Sequence, residues 1–288
     1  MLLVKSGGGF GVIMDYHIHT KASPDATGEI LDYVKEARKK GLDEIGFSEH
    51  IILHYEEDYP YRSPEAMKSY VEEFLRAKRE SEVSIKLGAE IDFFPADIEK
   101  IAEFLDGYPF DYVIGSVHYL GRWSIDSPRQ VYEYSKRDIL QVYEEYFGAV
   151  RKLCRSKLFD ILGHADLIKI FGFRPNCNFD HVLGETAKAL AASDMCVEIN
   201  TSGLIRPCKE MYPSLQFLTR LKQEGVPITF GSDAHKPNDV GRCFDQATEL
   251  AKEVGYKQAC TFEARKREPE EITPLSAVTR GKINSKLV

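Results

Sequence analysis

An α/β barrel is the fold this sequence predicts, and three observations predict it. Short apolar runs alternate with longer amphipathic stretches through seven units; no glycine-rich linker, composition shift or internal repeat divides them; and histidines and acidic residues recur where the apolar runs end. Alternating strand and helix implies a parallel sheet with helices outside it. Seven units in unbroken succession favour a closed or nearly closed, TIM-like barrel over an open sheet, and 288 residues is an ordinary size for one barrel.

The expected strands are 14–18, 44–47, 84–91, 112–117, 160–162, 196–199 and 228–230, each a short run rich in branched or aromatic residues. Between them, apolar residues recur at helical spacing over 30–40, 64–82, 95–104, 131–157, 179–193, 214–224 and 240–254. Pro64 and Pro95 stand where helices begin, a position at which a missing N–H costs nothing. Gly41 and Gly225 stand just past helix ends, where a left-handed cap suits glycine. After Gly255 the pattern weakens: 257–262 reads as a last strand and 273–288 as a basic tail. The expected organisation is a flexible leader over 1–13, one barrel domain over 14–270 and a flexible tail over 271–288.

Composition narrows the function. With 43% hydrophobic and 29% charged residues, the chain has the balance of a globular protein. A net charge of −7 spread along the chain argues against coating nucleic acid, which takes clustered Lys and Arg. It leaves room for a small anionic substrate, because a few cations dominate a local field. Six cysteines without a CxxC pair read as free thiols, and the expected location is the cytoplasm. No stretch approaches the length of about 20 apolar residues that a membrane span takes, and the opening lacks the apolar core and cleavage site of a signal peptide.

The chemistry lies in the histidines. Of eight, six (His17, His19, His50, His118, His164 and His235) fall at or just beyond the C-terminal end of an expected strand. In a parallel barrel those ends share one rim, where active sites are built. His17 and His19 alternate along one strand and so face the same side. Glu49-His50, Gly88-Ala89-Glu90, Gly115-Ser116-Val117-His118, Gly163-His164-Ala165-Asp166 and Gly231-Ser232-Asp233-Ala234-His235 end further strands, with small residues leaving room for ions and substrate. A lone buried histidine is usually a hydrogen-bonded core residue, and His54 and His181 are left in that class. Six on one rim beside Glu90 and Asp233 read as metal ligands. So many donors exceed the three protein ligands of a single catalytic zinc and suffice for two or three ions sharing carboxylates. Mixed imidazole and carboxylate ligation suits zinc, manganese or iron.

These motifs, in this order, resemble the polymerase-and-histidinol-phosphatase (PHP) superfamily over residues 14 to 265, nearly the whole folded part. The resemblance implies a distorted seven-stranded barrel with a trinuclear metal site. It also implies that Asp25, in Thr20-Lys21-Ala22-Ser23-Pro24-Asp25, is a ligand where other members have histidine. Within the superfamily, Val117–Asp126 and the segments Phe171-Gly172-Phe173-Arg174-Pro175 and Asn200–Pro207 look most like the histidinol-phosphate phosphatases. That likeness implies that Arg174 and Arg206 bind the substrate phosphate, and that the substrate is L-histidinol phosphate, an intermediate of histidine biosynthesis. Both arginines follow expected strands, and a planar guanidinium fits phosphate oxygens in pairs.

The expected reaction is hydrolysis of a phosphate monoester by two-metal chemistry. Bound ions lower the pKa of a water toward roughly 7, with Glu90 bridging them and the arginines neutralising the phosphoryl oxygens. Asp233, His235, His50 or a metal-bound water is expected to return a proton to the leaving alkoxide, and the sequence does not choose among them. The glutamates, tyrosines and aspartate of loop 56–61, and Trp123 with Asp126, are candidates for reading the amine and imidazole of the substrate. The sequence has no GxSxG elbow and no Walker phosphate loop. No expected strand ends in the bridging lysine of an amidohydrolase barrel. A PHP phosphoesterase acting on another small monoester, such as a nucleotide or sugar phosphate, is the alternative.

Overall fold

In a computed structural model of the chain, which describes residues 11–54 and 64–277, every expected strand is present. The strands are β1 (Met14–Asp15), β2 (Glu44–Ile51), β3 (Ser84–Asp92), β4 (Tyr112–Ser116), β5 (Tyr119–Leu120), β6 (Trp123–Ser124), β7 (Ile161–Leu162), β8 (Cys196–Asn200), β9 (Ile228–Gly231), β10 (Gln258–Glu263) and β11 (Lys266–Glu271). Seven form one parallel sheet in the order β1-β2-β3-β4-β7-β8-β9. The sheet curls on itself. Tyr16 N donates to Phe230 O at 3.0 Å, and a parallel bridge joins Ile18 to Ala234, so first and last strands meet in a nearly closed barrel. Asp15 strengthens the seam by accepting from Ser232 N, Ser232 Oγ and Gly241 N, at 2.9, 2.6 and 2.8 Å.

The helices are α1 (Ile30–Lys40), α2 (Pro64–Glu80), α3 (Ile98–Asp106), α4 (Ile139–Ser156), α5 (Asp180–Ala191), α6 (Leu215–Gln223) and α7 (Phe244–Val254). Helix α1 shows why these stretches fold as they do. A reciprocal capping box joins Glu29 and Asp32, Ile30, Tyr33, Val34 and Ala37 form the buried stripe, and Gly41 takes φ 88° at the end. Two of the differences from the expected helical boundaries have a clear cause. The stretch 131–157 divides into a 3-10 segment (Pro128–Lys136) and α4, because Asp138 caps the second helix by accepting from Leu140 N and Gln141 N. The stretch 240–254 is helical only from Phe244, because Gly241 and Cys243 hold φ of 62° and 57°.

Beyond α7, β10 does not join the barrel. It pairs with β11 as an antiparallel hairpin across the N-terminal end: Thr229 Oγ1 donates to Cys260 O at 2.9 Å, Phe262 packs edge-on against Tyr16, and Arg265 pairs with Asp160. At the start of the described chain, Gly11 N donates to Thr273 Oγ1 at 3.0 Å and Ile13 is buried. One end of the barrel is therefore plugged, and the functional chemistry has the other end to itself.

The glycines near the strand ends have a different use from the one expected. A side chain at Gly88 would strike the Tyr112 ring, one at Gly115 the Phe159 ring and one at Gly231 the Glu198 carboxylate. These glycines admit other protein groups into the barrel rather than leaving space for ions or substrate.

Candidate metal centre

Glu90 stands at the centre of the rim. It is fully buried near the end of β3, and five histidines, from β2 and from the segments that follow β1, β4 and β7, surround it. Its Oε2 lies 2.7 Å from His50 Nδ1, 3.3 Å from His17 Nε2 and 3.6 Å from His19 Nε2. Its Oε1 lies 2.9 Å from His164 Nε2 and 3.6 Å from His118 Nε2. The two oxygens thus face two separate groups of imidazoles.

Asp233 completes the wall opposite. Its Oδ1 lies 3.5 Å from His19 Nε2, 3.8 Å from His17 Nε2 and 3.5 Å from His235 Nδ1, while Ser202 Oγ donates to its Oδ2 at 3.1 Å. The backbone at Asp233 is left-handed, φ 53°, a conformation that aspartate tolerates better than most residues and that turns its side chain back over the rim. Asp25 sits at the outer edge, 58% exposed, with Oδ2 3.3 Å from His235 Nε2 and 3.9 Å from His50 Nε2. The nine residues singled out as ligands therefore fall in one cluster. Donor atoms come within 4.8 Å of one another in four overlapping triads: His19, His50 and His235; His17, His164 and Asp233; His17, His19 and Glu90; Glu90, His118 and His164.

The buried polar atoms test whether this cluster suits cations. His17 Nε2, both ring nitrogens of His19 and His164 Nδ1 are buried without a hydrogen-bond partner. Buried donors and acceptors are normally paired, so lone pairs gathered in one place are what metal ligation requires. The protonation states agree. Burial and the neighbouring charges of His50 and His235 hold His19 well below its ordinary pKa, hence neutral. Burial opposes charge on Glu90, but the surrounding imidazoles of His17, His50 and His118 hold it ionised, well below the usual range. At His17 and His118 burial is again opposed and outweighed, by Glu198 and Asp92 respectively, and at His235 by Asp25, which lifts it to about 9. A cation entering such a cage would displace those protons.

Around this cluster lies a set of residues that the sequence reading passed over. Glu198, in the middle of β8, is buried with Oε2 2.8 Å from His17 Nδ1, and its Oε1 accepts from His164 N at 2.6 Å and from Asn200 Nδ2 at 2.8 Å. Asp92 Oδ1 lies 2.8 Å from His118 Nδ1. A carboxylate on Nδ1 fixes the hydrogen there and leaves Nε2 facing the cage. Glu49 turns away from the cage and accepts from Thr20 N and Ser23 Oγ at 2.9 and 2.7 Å, pinning the loop that carries Asp25. Burial raises the Glu49 carboxyl to about 7. The signal for Glu198 was present in the sequence: a carboxylate inside the apolar run Cys196-Val197-Glu198-Ile199 has to meet a partner.

The cage opens into a cavity of about 70 Å³, lined by Asp25, His50, His118, His164, Asp233 and His235 together with Asp126, Leu167, Ile170, Ser202, Arg206 and Tyr212. Arg206 is exposed at this wall. Arg174 is not part of the wall; its guanidinium donates to Glu210 Oε2 at 2.6 Å, and Glu210 is also held at 3.0 Å by the buried Lys169. Trp123 is buried, edge-on to Tyr134, so of the pair Trp123 and Asp126 only the aspartate reaches the cavity. Loop 56–61 lies outside the described residues. His54 stacks on Phe94 with Nδ1 2.5 Å from Asp97, and His181 lies on α5, both outside the cluster. No described helix is long and apolar enough to cross a membrane.

The PHP domain family model matches residues 15–202. A protein of Deinococcus radiodurans named "Probable histidinol-phosphatase" is 35% identical over 266 residues, which is 89% of this chain and 99% of that one. The histidinol-phosphatase of Bacillus subtilis is 30% identical over 80% of this chain and 96% of its own. Among solved structures, the histidinol phosphate phosphatase of Lactococcus lactis complexed with zinc, L-histidinol and phosphate matches with a TM-score of 0.76 and 27% identity, over 89% of this chain and 98% of that one. With the matching barrel and rim already in hand, the family match over more than half its length decides the matter: this chain belongs to the PHP domain family.

Proposed function

We propose that this protein is a metal-dependent phosphomonoesterase that hydrolyses L-histidinol phosphate to L-histidinol and phosphate. The observation that carries the reading is Glu90, with its two oxygens between two groups of imidazoles at the floor of a cavity whose wall bears Arg206. The relatives named for this activity, and the Lactococcus lactis structure with histidinol and phosphate bound, support the substrate.

In this reading His17, His19, Asp25, His50, Glu90, His118, His164, Asp233 and His235 hold two or three divalent ions, zinc, manganese or iron. When bound, such ions polarise the phosphoryl group and lower the pKa of a coordinated water. The chain's own residues supply the rest. Glu90 keeps the ion sites adjacent, and Glu198 and Asp92 fix the imidazoles of His17 and His118 by their Nδ1 atoms. Arg206, from the cavity wall, takes the phosphoryl oxygens and offsets charge there as the bond to the leaving oxygen lengthens. Arg174 assists from the adjoining loop. His50, Asp233 and His235 line the cavity, and one of the histidines or a coordinated water returns a proton to the leaving alkoxide.

The test is phosphate release by metal-loaded protein from histidinol phosphate, compared with a nucleotide and a sugar monophosphate. A kcat/KM for histidinol phosphate well above the others is expected. Preference for either of the others overturns the substrate, and no phosphate release from any overturns the activity.

A further inference from the structure

The cavity has two poles, and only one of them is explained by a phosphate. Beyond the ligand cluster and Arg206, the wall is formed by the apolar Leu167 and Ile170, by Tyr212 and Ser202, and by one more carboxylate, Asp126. The other acidic groups of the wall are engaged: Asp25 lies against His235, and Asp233 against His17, His19 and His235. Asp126 is different. Among the described residues its only hydrogen-bond partner is the neutral Ser124 hydroxyl, which donates to Oδ1 at 2.7 Å; it forms no ion pair among them, although its charge favours a protonated His118 across the cavity.

Its position is fixed from several sides. Ser124 N donates to Gln130 Oε1 at 2.9 Å, and Ile125 N donates to His118 O at 2.9 Å. The Tyr134 hydroxyl reaches Ile125 O at 2.9 Å and Ile168 O at 3.1 Å, tying the ribbon that carries Asp126 to the loop after β7. Ile125, beside it, is fully buried. A carboxylate held on a packed support is preorganised for a ligand.

A carboxylate without an ion pair among the described residues, on a wall away from the ligand cluster, disfavours a neutral or anionic group beside it and favours a cationic one. A cation on the far side of the substrate meets that preference, with the apolar wall covering the body between. We infer that Asp126 is a specificity-determining residue that selects phosphomonoesters whose leaving group carries a positive charge, a protonated amine or imidazole, and disfavours those whose leaving group is neutral or anionic. This rests on the functional reading above and adds to it the group that discriminates.

The experiment compares Asp126→Asn with wild type, both metal-loaded, on three monoesters: histidinol phosphate, 4-nitrophenyl phosphate and 3-phosphoglycerate. The ratio of kcat/KM for histidinol phosphate to that for 4-nitrophenyl phosphate is expected to fall by roughly tenfold or more in the variant, the loss that follows one charge-assisted hydrogen bond. The relative rate with 3-phosphoglycerate is expected to rise. Damage to the fold or to ion binding lowers all three substrates together and leaves the ratios alone. Unchanged ratios in an active variant overturn the inference about Asp126, whereas wild-type protein inactive on histidinol phosphate overturns the functional reading instead.

Discussion

Glu198 grips His17 by its Nδ1, at 2.8 Å, and so points the Nε2 of that ring at Glu90. The pair is buried, and Glu198 also takes the backbone N–H of His164 and the side chain of Asn200. One carboxylate therefore orients two strand ends of the cage. Glu198→Gln keeps the shape but offers Nδ1 a weaker, neutral partner. Ion affinity, measured by competition with a chromophoric chelator, is expected to fall by about 10- to 100-fold. Wild-type affinity in a folded variant would show that Glu198 is only a filler.

The cage gathers six imidazoles and the carboxylates of Glu90 and Asp233, with buried lone pairs facing one another. Ions that bind only the folded state stabilise it by mass action, about 4 kcal/mol at a thousandfold excess over Kd. Dialysis against a chelator is expected to abolish phosphate release and lower Tm by roughly 10 °C. Added zinc or manganese should restore both. Chelator-treated protein, shown ion-free by elemental analysis, with full activity contradicts the metal reading.

The two arginines are placed unequally. Arg206 lines the cavity, whereas Arg174 is held by Glu210 beside it. Arg206→Ala is expected to raise KM for the phosphoester by about tenfold or more, with a smaller change in kcat, as for a lost charged contact to phosphate. Arg174→Ala should raise KM less. Steady-state kinetics on both variants checks the order, and a larger effect at Arg174 reverses the assignment.

Glu210 gives a pH dependence of stability. Burial disfavours its charge, but Lys169 and Arg174 outweigh burial and hold the carboxyl below its ordinary value. A carboxyl whose folded pKa is depressed adds stability above its unfolded pKa of about 4.3 and loses it as pH falls through the folded value. The urea midpoint of wild type should exceed that of Glu210→Gln at neutral pH, and the gap should close on acidification below about pH 4. A gap that widens in acid has the wrong sign.

Thiol reactivity should divide along burial. Cys154 is buried in α4 and its thiol is pushed up to about 12 by burial, while Cys177 is exposed. Since the thiolate is the reactive form, iodoacetamide at pH 8 should label Cys177 in native protein and spare Cys154 until unfolding, as peptide mass mapping can show. Early labelling of Cys154 would mean that α4 opens readily.

Much of the site was legible because histidine is uncommon and strands end predictably. Period-two spacing put His17 and His19 on one face, and glycine-led motifs marked where His118, His164 and Asp233 leave their strands. Glu198 and Asp92 escaped notice for the opposite reason. A carboxylate within a buried strand signals that it has a partner but not which one, and for Glu198 the partner lies 181 residues away. The hairpin β10–β11 was half seen, because its second strand, Lys266–Glu271, is mostly charged and exposed and has no apolar alternation to reveal it.

What the sequence determined by itself was the succession of seven strands and helices and the identity of the donor atoms, because both follow from local chemistry: apolar periodicity and residue type. What only the tertiary structure decided was which of those atoms meet. Barrel closure at Tyr16 and Phe230, the division of five histidines between the two oxygens of Glu90, and the withdrawal of Arg174 onto Glu210 are long-range contacts. They depend on strand register and loop packing, and no window of sequence contains either.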